Sequence, residues 1–157
     1  MDNRKKSGEI LQNVGYALLT EGKTIRIKAH GYSMFPAIKP GATILIEPIN
    51  VKGNPVTGEI IAIKKSNGLI VHRLSKITVK NGITEYIARG DSNSFEDKPI
   101  NLDDIAGRVV RAEPDKKNGL QANVAINTKP NYWLNRMNVI CIAFINRIRK
   151  ITNVSFV

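Results

Sequence analysis

Hydrophobic and polar residues alternate along the middle of the chain and take up helical spacing at its two ends. Thr24, Ile25, Arg26, Ile27, Lys28 and Ala29 alternate one by one, the pattern of a strand with one buried face. Comparable short runs occupy 43–48, 58–64, 69–74, 76–80, 83–89 and 105–112. Asn67-Gly68 and Asn81-Gly82 separate consecutive runs, and Asn-Gly is a strong short-range hairpin signal. Short strands with regular turns predict a mainly β domain of coiled antiparallel sheets forming a partly closed barrel.

At the N-terminus, Ile10, Leu11, Val14, Leu18 and Leu19 predict a short amphipathic helix over 8–20, with Ser7 as its N-cap and Gly22 after its end. Near the C-terminus, Trp133, Met137, Ile140, Cys141, Phe144, Ile148 and Ile151 share one face of a second helix. Arg136, Arg147, Arg149 and Lys150 occupy its other positions. Covering the core is the expected role of such a helix. The rival is contact with an anionic membrane surface. The chain thus divides into an N-terminal helix (1–23), a β domain (24–112) and a linker with the C-terminal helix (113–157).

Composition narrows the function classes. A chain of 157 residues holds one well-buried core. Its net charge of +11 favours an anionic partner, yet the basic residues are scattered, which does not favour nucleic acid in particular. With Cys141 as the single cysteine and only His30 and His72, neither a disulfide nor a structural metal site is expected, and no cofactor is called for. The N-terminus has no secretory apolar stretch, and no run of apolar residues is long enough to span a bilayer. The expected location is the cytoplasm, with peripheral membrane contact as the variant.

Three segments carry chemistry. His30-Gly31-Tyr32-Ser33-Met34-Phe35-Pro36 holds a hydroxyl between two strands, although serines in loops are mostly turn formers. Val71-His72-Arg73 places an imidazole inside a strand, where alternation puts it on the opposite face from Arg73. Gly90-Asp91-Ser92-Asn93-Ser94-Phe95-Glu96-Asp97 supplies carboxylates in a loop. Hydroxyl, imidazole and carboxylate form the set that nucleophilic catalysis needs: a base activates the serine, and an acid orients the base.

In their order these segments resemble the signal peptidase and LexA-type superfamily of β-rich serine peptidases. GYSMFPAIKPGATILIEP resembles its nucleophile box, GEIIAIKKSNGLIVHRL the segment of the general base, and YIARGDSNSFEDKPINLDDIAGRVV its later Gly-Asp box and closing strand. Where many members place Lys, this chain has His72, as in the archaeal and endoplasmic-reticulum signal peptidases. The resemblance implies Ser33 as nucleophile, His72 as base and Asp97 as the orienting acid, with Asp91 as the alternative. It also implies a peptide or protein substrate. The oxyanion would be held by the Ser33 N–H and a donor near Gly31 or Tyr32. Lys64 and Lys65 are rival bases that would have to be buried to lower their pKa.

The chain departs from the family in Gly41-Ala42, where an Asp usually follows the glycine, in Ser92 at an Asn-like position, and in lacking the expected membrane-spanning anchor. Two other functions stay open. One is a self-cleaving LexA-like regulator, against which stands the short stretch before Ser33. The other is a non-catalytic binding module on the same fold.

Overall fold

A computed structural model describes residues 14–51, 53–66, 68–114 and 129–152, the side chains of 149–152 excepted. Six strands follow in chain order: β1 (Ile25–Lys28), β2 (Thr43–Pro48), β3 (Ile60–Lys65), β4 (Gly68–Lys80), β5 (Ile83–Arg89) and β6 (Ile105–Glu113). Helix α1 spans 14–20 and helix α2 spans Tyr132–Thr152.

All six strands belong to one sheet in the order β1-β2-β6-β3-β4-β5, and every pairing is antiparallel. The protein is mainly β, as its alternation predicts. The expected partial closure is not made by hydrogen bonds, because β1 and β5 remain the two edges. Curvature takes the place of closure. Irregularities between Leu45 and Ile46, between Ala62 and Ile63, and between Leu74 and Lys76 break the ladders, and such bulges bend and twist a sheet. The bend brings Ile25 of β1 and Leu69 of β4 into one apolar cluster, although three strands separate β1 from β4 in the sheet.

Central β3 explains why two clusters form. Ile60 and Ala62 point into a core with Leu19, Ile25, Ile44 and Val109, while Ile61 and Ile63 enter a second with Leu74, Tyr86 and Ile105. A strand buried on both faces must be apolar at every position, and Ile60-Ile61-Ala62-Ile63 is.

The runs 69–74 and 76–80 form one strand of 13 residues, kinked at Ser75 rather than broken by a turn. Asn81 (φ +52°) and Gly82 (φ +77°) make the expected hairpin, since consecutive left-handed residues define the turn that suits two antiparallel strands. Gly68 is already inside β4, opposite Lys65.

α1 packs Leu19 into the first core, but Val14, expected on its apolar face, is exposed. Gly15 is the residue that faces inward, and a Cβ there would lie 3.3 Å from the Ile25 side chain. The expected cap at Ser7, Ile10 and Leu11 lie outside the described residues, as do Asn67, 115–128 of the predicted linker and the Ile151 side chain.

The expected core-covering role of α2 is overturned. Asn135 is buried at its N-terminal end, whereas Trp133, Leu134, Met137, Ile140, Phe144 and Ile145 are exposed. Among the described residues no helix is long and apolar enough to cross a membrane.

Candidate active site

β4 alternates the two side chains that organise the site. His72 and Arg73 are neighbours on a strand and therefore face opposite ways. Each meets an acid from the same loop, 90–97. His72 Nδ1 lies 2.6 Å from Asp97 Oδ2. Arg73 Nε and Nη2 donate to the two Asp91 carboxylate oxygens at 2.9 and 2.8 Å, and Nη1 donates to the Gly58 carbonyl at 2.8 Å.

This division separates the two carboxylates named from the sequence. Asp97 is the partner of the imidazole. Asp91 is not: both its oxygens are taken by Arg73, and the residue is only 1% exposed. The buried fork-to-carboxylate pair is a structural fastening of the loop.

The same loop grips the serine turn. Ser92 N–H donates to the Ser33 carbonyl at 2.9 Å, and the Ser92 hydroxyl donates to the Tyr32 carbonyl. The Asp97 N–H donates to the Ala88 carbonyl at 2.8 Å, returning the end of the loop to β5. Loop 90–97 thus holds the backbone of Ser33 at one end and the ring of His72 at the other.

Ser33 and His72 both line a cleft of about 330 Å³, walled by Ile27–His30 on one side and Leu69–Val71 on the other. Ser33 is half-buried and His72 is 7% exposed. Among the described residues Ser33 Oγ makes no hydrogen bond, so serine and imidazole share the cleft without one between them. Catalytic hydrogen bonds in ligand-free sites are often long and tighten when substrate binds. With the proton on Nδ1, His72 donates to Asp97 and keeps a lone pair on Nε2, the form in which an imidazole accepts a proton.

Further residues brace the loop. Arg89 donates to the Asn93 carbonyl at 3.1 and 2.9 Å and to the Ser94 carbonyl at 3.1 Å. The Ser75 hydroxyl, at the kink of β4, lies 2.8 Å from the Ile87 carbonyl and 3.1 Å from Glu96 Oε1, and its one proton serves either acceptor. The Lys76 ammonium, 2.8 Å from Glu96, holds that carboxyl below its ordinary pKa by hydrogen bonding. From α2, Asn135 donates to the Asp91 carbonyl at 3.1 Å and the Tyr132 ring stacks under Arg89. Burial raises the Tyr132 phenol above its usual pKa.

Arg89, Ser75 and Asn135 were not singled out from the sequence, and Ser92 was named there only as a departure from the family pattern. Only Arg73 carried a usable signal, a charge that alternation turns inward among apolar neighbours. Lys64, a rival base, is exposed with its ammonium 4.2 Å from the Tyr16 ring centre, and Lys65 is half-buried at the end of β3. Neither lines the cleft. No group of three or more His, Cys, Asp or Glu among the described residues is placed to hold a metal ion.

Gly90 permits the two loops to meet. A Cβ on Gly90 would lie 2.8 Å from the Ser33 carbonyl oxygen, closer than real Cβ contacts. Gly90→Ala should therefore destabilise the protein by about 1–3 kcal/mol through overpacking. The urea midpoint measures this, and an unchanged midpoint would show that the loops part at no cost.

Comparison with protein-family models and with curated proteins finds no match to the chain.

Proposed function

We propose that the protein is a serine endopeptidase of the signal peptidase and LexA type, in which Ser33, His72 and Asp97 act as a triad. One observation carries this reading: loop 90–97 fixes the Ser33 backbone through Ser92 and delivers Asp97 to His72. A purely structural loop has no need to join a half-buried hydroxyl and a buried imidazole at one cleft.

In this reading His72 Nε2 takes the Ser33 proton as Oγ attacks the scissile carbonyl. Asp97 fixes the ring and stabilises the imidazolium. Collapse of the tetrahedral intermediate breaks the C–N bond, with the proton passing to the leaving amine. Water, deprotonated by His72, then releases the acyl group and regenerates Ser33. An extended substrate would lie against β1, whose outer edge has no strand partner among the described residues, and add its backbone to the sheet.

A fluorophosphonate probe tests the reading without knowledge of the substrate. Ser33 should be labelled selectively in the native protein and not after denaturation, and His72→Ala should abolish the adduct. Peptide mapping that places no label on Ser33 would remove the catalytic assignment.

A further inference from the structure

Helix α2 is turned the wrong way round for a helix that serves the core. At about 100° per residue, Asn135 lies on the side of the axis opposite Trp133, Met137, Ile140 and Phe144, and Tyr132 lies at the border of that side. The side bearing Tyr132 and Asn135 is the one fastened to Arg89 and Asp91. The apolar side faces outward, with Trp133 74% and Phe144 63% exposed. Leu134 and Ile145 widen this face beyond a narrow seam. A cost in exposed apolar area of this kind marks an interaction surface.

Charge selects the occupant. The sequence of α2, YWLNRMNVICIAFINRIRKIT, has no acidic residue and carries Arg136, Arg147, Arg149 and Lys150. Arg136 and Arg147 are exposed and flank the apolar face. A second copy of the helix would bring like charges together with no acid to offset them. An anionic bilayer supplies the opposite charge, an apolar layer for Trp133 and Phe144, and a surface to lie along rather than cross.

We infer that α2 is an interfacial anchor that lays its Trp133–Phe144 face into an anionic lipid surface. Its N-terminal end is fastened to loop 90–97, so the anchor attaches to the loop that carries Asp97. The inference goes beyond the proposed peptidase activity and requires no catalytic step.

Trp133, the only tryptophan in the chain, reports on its own environment. The full chain should sediment with vesicles of phosphatidylcholine containing about a third phosphatidylglycerol, at least about tenfold more than with phosphatidylcholine alone. Trp133 emission should shift to the blue on binding, and high salt should weaken the association. Ile140→Glu with Phe144→Glu should abolish sedimentation with unchanged circular dichroism, because both side chains are already exposed. Arg136→Gln with Arg147→Gln should reduce it. Ser33→Ala should bind vesicles as the native chain does, which keeps this test separate from catalysis. Absence of sedimentation, equal binding to neutral and anionic vesicles, or self-association through α2 without lipid binding would each overturn the inference.

Discussion

Ser33→Ala and His72→Ala should each lower the cleavage rate of a peptide selected on the native protein by on the order of 10⁶-fold, and the double substitution by no more than either alone. Nucleophile and base form one unit, so removing either leaves nothing for the other to do. Asp97→Asn should cost on the order of 10⁴-fold, because the amide would favour the wrong imidazole tautomer while the ring stays in place. Single-turnover rates on purified variants with matching urea midpoints provide the measurement. Additive losses in the double variant would mean that Ser33 and His72 do not act together, and the triad would fall.

Asp91→Ala should have the largest effect on stability, about 3–5 kcal/mol, because it removes the carboxylate bound by both Nε and Nη2 of the buried Arg73 guanidinium. Urea unfolding would read this as a large drop in midpoint. Asp97→Ala should shift the midpoint much less, since that carboxylate is partly open to solvent. The two aspartates of one loop should therefore separate cleanly, one acting on folding and the other on rate. Equal midpoints for the two variants would contradict the division of roles seen at Arg73 and His72.

The strands were legible because their alternation is local: 43–48 is bounded as expected, and 83–89 and 105–113 differ by at most one residue. Sheet order was not, since β6 enters between β2 and β3 through contacts far apart in sequence. The kink at Ser75 was invisible for a related reason: a polar residue between two apolar runs resembles a turn until Ser75 is seen bonded to Ile87.

At the candidate site, the family resemblance named Ser33, His72 and Asp97 with Asp91 as the alternative acid, and the structure gives each acid its own partner. Asp91 and Asp97 offer the same carboxylate. What separates them is which of two adjacent strand side chains each faces. α2 shows the opposite limit. Its amphipathic pattern was plain, but a pattern gives the width of an apolar face and not its direction, which Asn135 and Tyr132 decide by docking their own side.

The margin of the sheet at β1 has a consequence for solubility. Peptide groups able to receive an incoming substrate backbone can equally receive the same strand from a neighbouring molecule, the first step of edge-to-edge aggregation. β1 is only four residues long and carries exposed Lys28 and an exposed Arg26 that is ion-paired with Glu113 at 2.6 Å. Two such strands brought side by side would share few peptide groups and leave Lys28 to be desolvated, so the margin tolerates an uncharged extended visitor better than its own twin.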